Sequence, residues 1–281
     1  MADVLVARHD HVTVFTLNRP HKLNAMTRAM GQEFMQAFGD FEADPDQHVA
    51  VITGAGEKAF SAGADLTEIA ARNESRTSAR PAGAASVDLW SVGRSAKPTI
   101  AAVNGLAVGG GLELTLNCDI RIVADTAWFG AFEVRRGIMA GIAVNLLARY
   151  MPVGDALYML MTADRVSAED ALRLGLAQKV VPPDSLSGEV MRVAEMISRN
   201  SQVAVQASKR VAYFWRNLAI RESMDYYRAV QQRLMLCADV VEGPRAFAEG
   251  RPPQFTHRWP ERAGSAGPAA AGGAGVADSR P

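Results

Sequence analysis

Glycines 109 to 111 stand in a row just ahead of an acid, Glu113, inside the otherwise apolar stretch GLAVGGGLELTL. A second glycine-centred stretch, AFSAGADL at residues 59–66, follows a strand-like run. Glycine has no Cβ, so backbone at such places can come close to a ligand and present its N–H groups. Two backbone donors aimed at one oxygen form an oxyanion hole, worth roughly 3 to 4 kcal/mol per donor to a transition state. Taken singly, either glycine run also reads as a tight turn. Glu113 likewise has two readings. In the first turn of a helix it can complement the helix dipole, and beside an oxyanion hole it can move a proton.

The other common glycine signatures are missing. GLAVGGG lacks the G-x-G-x-x-G spacing of dinucleotide sites, and no phosphate-binding G-x-x-x-x-G-K-[ST] occurs. No G-x-S-x-G elbow is found, which disfavours a serine hydrolase of that type. The five histidines show neither triad nor ligand spacing, so no metal site is expected. Cys118 and Cys237 read as buried free thiols rather than a disulfide pair. With 30 Lys plus Arg against 30 Asp plus Glu, the formal net charge is zero, which argues against a phosphate-contacting nucleic-acid binder. No apolar run approaches the roughly 18 to 20 residues that span a bilayer, and the N-terminus has no apolar signal core. A cytoplasmic protein with no nucleic-acid or membrane partner is the expectation.

The elements that must position these residues follow from pattern. Residues 4–6 and 12–17 are β-rich and flank His9-Asp10-His11, which predicts a hairpin. Thr27 can cap a helix carrying Met30, Phe34, Phe38 and Phe41 on one face. Residues 49–53, 99–103, 120–124 and 178–181 read as short strands. Ser167 with Asp170, closed by Gly175, predicts a capped helix over 167–174. Residues 191–197, 203–215 and 224–240 read as helices. Strands alternating with helices, then a helical end, indicate an α/β fold. Residues 72–96 read as a long loop or weak helix of the kind that often forms a lid. No internal repeat is evident.

Several stretches carry a resemblance: LNRPHKLNAM (17–26), VITGAGEKAFSAGADLTEI (51–69) and KPTIAAVNGLAVGGGLELTLNCDIRIVAD (97–125), supported by SAEDALRLGLAQKVVP (167–182) and EGPRAFAEGRPPQF (242–255). In this spaced combination the chain resembles the enoyl-CoA hydratase/isomerase, or crotonase, superfamily over roughly residues 4–255. The resemblance implies a spiral of β-β-α units over 1–195 and a C-terminal helical trimerisation region over 196–261; beyond it, residues 262–281 are Ala/Gly-rich with almost no large apolar residue and read as a disordered tail. It implies an acyl-CoA substrate, no cofactor apart from the coenzyme A of the substrate itself, a homotrimer or hexamer, and a place in fatty acid metabolism.

By motif, the resemblance assigns the oxyanion donors to the N–H groups of Ala64 and Gly110. It assigns proton work to Glu113 and to Glu133 in WFGAFEVRRGIMAG (128–141). On its own Glu133 also reads as a solvated acid paired with Arg135 or Arg136. Lys22, Ala25, Ala62, Asp65, Leu66, Thr67 and Gly109 are assigned to substrate binding. Thr67 stands where relatives often carry a lysine, and Gly250 replaces another, with Arg251 adjacent. The usual Pro-Glu is Phe132-Glu133 here, and residues 137–144 depart from the glycine-rich pattern of hydratases. The implied activity is syn hydration of a trans-2-enoyl-CoA. Isomerisation, thioester hydrolysis, decarboxylation and a non-catalytic acyl-CoA-binding homologue are the alternatives. Tyr213, Phe214, Trp215, Tyr226 and Tyr227 read as helix packing at a trimer contact. One conflict stands: LELTLNCDIRIV alternates like a strand from Leu112, whereas the resemblance makes it helix to about Cys118.

Overall fold

The computed structural model describes residues 2–69, 90–216 and 220–255. The expected hairpin forms from β1 (Val4–His9) and β2 (Val12–Leu17), turning where Asp10 takes a positive φ. β2 then pairs in parallel with β3 (Val49–Gly54), and β5 (Thr99–Val103), β7 (Ile120–Ala124) and β10 (Lys179–Val181) continue the sheet. Every residue of β5 and all but one of β3 are buried. That two-sided burial explains their continuous apolar sequence, because a parallel sheet is covered on both faces.

Three of the parallel strands lead within a few residues to a short strand of a second sheet. β3 leads to β4 (Ala59–Ser61), β5 to β6 (Leu106–Val108) and β7 to β8 (Trp128–Gly130), and β9 (Val166–Ser167) closes the order β4-β6-β8-β9. Helices follow the paired strands, which is the expected β-β-α arrangement. Asn104, in the β5–β6 turn, stitches two of these corners together. Its amide donates to the Gly54 and Gly56 carbonyls at 2.9 and 2.7 Å, and its Oδ1 accepts the Gly54 N–H at 3.1 Å.

α1 (Arg28–Ala43) begins where Thr27 Oγ1 accepts the Met30 N–H. Its stripe of Met30, Phe34, Phe38 and Phe41 is buried as its spacing predicts. Phe15 of β2 sits among the last three, with ring centroids 5.7, 5.7 and 6.0 Å away. The capped helix of the sequence is Ala168–Arg173, with Ser167 accepting the Asp170 N–H.

The structure adds to or departs from pattern in several places. Residues 110–117 are helical (Gly110–Asn117), not a strand, because six of the eight residues are buried and a helix buried nearly all round shows no polar face. β4, β6 and β8, at three residues each, are too short for periodicity to register. Helices Ala143–Tyr150 and Val153–Thr162 were not anticipated. The helix expected over 224–240 is broken: one helix ends at Leu234 and the next begins at Asp239. Helix Pro183–Ser198 runs across residue 195, where the core was divided from the helical region. Of the expected loop at 72–96, residues 90–94 form helix Trp90–Arg94 and residues 72–89 lie outside the described residues, as does the tail at 262–281.

The C-terminal helices are tied to the sheet by buried polar contacts. Lys209 donates to Asp119 Oδ2 at 2.7 Å and to the Lys97 carbonyl at 2.8 Å, and the Tyr213 hydroxyl donates to Asp119 Oδ1 at 2.5 Å. Tyr213 thus fastens helix Gln202–Arg216 to the sheet within its own chain. Replacing Phe15 by Ala, which empties the centre of the phenylalanine cluster, is expected to lower stability by about 3–5 kcal/mol, measured as a lower urea midpoint at unchanged slope.

Candidate active site

Ala64 and Gly110 are brought together by the second sheet. β4 pairs in parallel with β6 and β6 with β8, so the residues that follow β4 lie beside those that follow β6. A Cβ built on Gly63 would lie 2.7 Å from the Gly110 nitrogen and 2.8 Å from the Val108 oxygen. Gly63 also has φ +84°, a conformation that side-chain-bearing residues avoid. A Cβ on Gly110 would in turn stand 3.6 Å from the Ala64 nitrogen. The two segments touch, as an oxyanion hole requires.

Neither amide is occupied by a described residue. Met26 donates to the Gly63 carbonyl at 2.7 Å and accepts the Asp65 N–H at 3.0 Å, forming a parallel bridge opposite Ala64. In such a bridge the intervening N–H points away from the partner strand, and the Ala64 N–H has no hydrogen-bond partner among the described residues. The Gly110 N–H opens helix Gly110–Asn117, whose first intrahelical bond runs from the Glu113 N–H to the Gly109 carbonyl. It too is unpaired among the described residues, at the end of the helix that favours negative charge.

The loop is held from behind. Asn24, fully buried, donates to the carbonyls of Ala55 and Ala59 at 3.0 and 2.8 Å, and Ser61 Oγ donates to the Asn24 carbonyl while accepting the Gly63 N–H. Asp65 is committed on both oxygens. Oδ2 pairs with Arg19 at 3.0 Å, and Oδ1 accepts the N–H groups of Thr67 and Glu68, so its carboxyl lies below the usual carboxylate range: burial, the largest influence, raises it, and the Arg19 bond with the two N–H bonds outweighs that. Arg19 also donates to the Ala25 carbonyl at 2.6 Å. The Arg19 and Asn24 supports were not singled out from sequence, and only the positive φ of Asn24 marks that position as special.

Both acids reach this place from different elements. Glu113 lies one turn along the helix from Gly110, its carboxylate against Gly141, where no Cβ would fit, and within 3.5 Å of the Ala143 N–H. Glu133 opens the short 3-10 turn Glu133–Arg136 after β8, and its Oε1 is 3.5 Å from where a Cβ of Gly109 would be. Glu133 Oε2 is buried with no hydrogen-bond partner among the described residues. The reading of Glu133 as a solvated, arginine-paired acid is thereby set aside. Burial, then the neighbouring Glu133 charge, pushes Glu113 up to about 7 against the lowering effect of the 141–143 backbone. Burial raises Glu133 as well, partly offset by Arg136.

Ala25, Ala62, Leu66 and Gly109 are partly buried beside the two loops, while Lys22 and Thr67 are exposed. Arg251 is engaged by Glu242 at 2.6 and 3.0 Å, so it does not stand in for the missing lysine as a free cation. Among the described residues no group of three or more His, Cys, Asp or Glu could hold a metal ion, and no helix is long and apolar enough to cross a membrane.

Comparison with known proteins agrees with this geometry. Residues 7–258 match the family model described as Enoyl-CoA hydratase/isomerase. An (E)-benzylidenesuccinyl-CoA hydratase of Thauera aromatica is 36% identical over 251 residues, 88% of this chain and 96% of that protein. A crotonyl-CoA hydratase of Syntrophomonas wolfei is 36% identical over 259 residues, 90% and 97% of the two chains. The crystal structure of a carnitinyl-CoA hydratase from Mycobacterium avium superposes with a TM-score of 0.81 at 37% identity, covering 92% of this chain and all of that one.

Replacing Gly63 by Ala is expected to reduce kcat/KM for any substrate using both amides at least about 100-fold, read by steady-state kinetics on folded protein. A second expectation concerns pH. Glu113 titrates near 7 when folded and near 4.5 when unfolded, so the unfolded state binds fewer protons between those values and stability falls as pH rises through that window, by on the order of 3 kcal/mol. Denaturant titrations from pH 4 to 8 are expected to show this slope in the wild type and a shallower one in Glu113→Gln, where the raised Glu133 carboxyl alone remains.

Proposed function

The chain belongs to the enoyl-CoA hydratase/isomerase family, and on that premise we propose that it is an enoyl-CoA hydratase adding water syn across the double bond of a trans-2-enoyl-CoA thioester. The observation that carries the proposal is the meeting of two unpaired amides, Ala64 and Gly110, with two buried carboxyl groups. In this reading the thioester oxygen lies between the amides. As water adds to Cβ, the C=C electron pair moves toward the carbonyl and an enolate develops. The fixed N–H dipoles stabilise that charge without reorganising.

The two acids then divide the proton transfers. Glu113 accepts a proton from the attacking water, its ionised form supported by the backbone at residues 141–143. Glu133, whose Oε2 has no donor to stabilise a charge, carries the proton and delivers it to Cα. Water supplies OH to Cβ, the Cα proton comes from Glu133, and proton return from Glu113 to Glu133 restores the pair. One ionised and one neutral carboxyl can coexist because like charges in a shared low-dielectric site suppress double ionisation.

Lys22, Ala25, Ala62, Asp65, Leu66, Thr67 and Gly109 form the coenzyme A approach, Asp65 by holding the loop in shape, since its side chain pairs with Arg19 and its N–H with the Met26 carbonyl. Coenzyme A arrives with the substrate and no separate cofactor is required. The exposed apolar residues Val153, Leu157, Tyr158 and Met161 on one helix support self-association as a trimer or hexamer. The two buried cysteines suit a reducing cytoplasm. Such a hydration would serve the breakdown of fatty or related acyl-CoA esters.

Glu113→Gln and Glu133→Gln are each expected to lower kcat at least about 100-fold while the Kd for a saturated acyl-CoA changes less than about threefold. Turnover in H2-18O is expected to place 18O on the product, an outcome that isomerisation cannot give.

A further inference from the structure

One polar group near the two acids has no part in the chemistry above. Tyr227 lies on helix Ile220–Leu234, which packs against helix Ala143–Tyr150. The contact is defined by Asn145, whose side-chain amide donates to the Met224 sulfur at 3.4 Å. Tyr227 follows Met224 by three residues and so lies on the same helix face, about 4.5 Å further along the axis. Ala143, two residues before Asn145, is the residue whose N–H approaches the Glu113 carboxylate. Tyr227 is partly buried, and its hydroxyl makes no hydrogen bond among the described residues.

These contacts set an order in space. The Ala64 and Gly110 amides come first, then Glu113 and Glu133, then residues 141–145, then Tyr227. A thioester with its carbonyl oxygen between the amides, and Cα and Cβ between the acids, would direct its remaining acyl carbons toward the phenol. We infer that Tyr227 is a specificity-determining residue whose hydroxyl donates a hydrogen bond to a neutral oxygen acceptor, a carbonyl or hydroxyl, on the acyl group one or two carbons beyond Cβ. The inference rests on the acyl-thioester reading of the site.

Two physical arguments favour a neutral acceptor. First, the phenol is a fixed donor. Burial and then the charges of Glu113 and Glu133 push its ionisation up to about 12, so it keeps its proton at any working pH. The same nearby charge opposes an anionic acyl substituent. Second, a saturated alkyl tail covering the phenol would strip water from a donor and leave it unpaired, an unfavourable exchange. A site that hydrogen-bonds a substrate oxygen discriminates strongly against the analogue lacking it.

The test uses saturated thioesters, so that binding is read without turnover. The Kd values of 4-oxopentanoyl-CoA and pentanoyl-CoA, which differ by one ketone oxygen, are measured by calorimetry on the full-length wild type and on Tyr227→Phe. The expected result is at least a tenfold preference for the ketone in the wild type, falling to threefold or less in Tyr227→Phe. Absence of a preference in the wild type, or a preference retained by the variant, overturns the inference. The wild-type comparison decides by itself if the variant does not fold. Failure of the hydratase reading would appear separately, as absent 18O incorporation alongside an intact Tyr227-dependent preference.

Discussion

The structure depends on the contact between two backbone turns, the one at Gly63 and the one entering the helix at Gly110. With a Cβ at Gly63 the Gly110 nitrogen would be only 2.7 Å away, so the two turns can be this close only without one. Everything around the site serves that approach. The short second sheet aligns the ends of β4 and β6, Asn24 and Ser61 hold the first turn from below, and Asn104 ties the corners that lead to both strands. The result is two N–H groups left unpaired in a largely buried region, where an unsatisfied donor is ordinarily unfavourable. A fold that maintains such donors at fixed positions has them oriented before any charge develops.

The acids are governed by the same low-dielectric surroundings. Glu113 and Glu133 are both raised by burial, and the charge of Glu133 adds to the effect on Glu113. Their difference lies in hydrogen bonding: Glu113 faces backbone donors at 141–143, while Glu133 Oε2 faces none. The turn bearing Glu133 is in turn fixed by helix Asp239–Ala248, since Gly137 and Gly243 allow that helix and turn to touch, and Arg136 stacks on Phe247 with its guanidinium carbon 4.8 Å from the ring centroid. Helix Asp239–Ala248 thus supports the Glu133 turn, and the Asp119 contacts with Lys209 and Tyr213 anchor helix Gln202–Arg216 to the sheet.

Much of this was legible in the sequence, and the reasons are specific. The Met30–Phe41 stripe, the Thr27 and Ser167 caps and the apolar strands 49–54, 99–103 and 120–124 are local signals, set by periodicity and capping chemistry within a few residues. The glycine runs at 63 and 109–111 and the neighbouring Glu113 marked the site before any fold was known, because glycine in an apolar setting announces close backbone approach. Glu133 was legible only through family resemblance, since an acid followed by two arginines has an ordinary surface reading.

Tertiary structure decided the rest. Residues 110–117 alternate like a strand yet form a helix, because burial on all sides removes the polar face that periodicity needs. The Arg19–Asp65 pair and the packing of helix Ile220–Leu234, which carries Tyr227, on helix Ala143–Tyr150 join residues distant in sequence, and no local pattern encodes a long-range contact. The sequence by itself determined which residues could do chemistry and which segments would be rigid. Only the packing of the second sheet on the first decided that two amides would meet, with two carboxyl groups beside them. That meeting arises from strand register and helix docking, which are properties of the assembled chain.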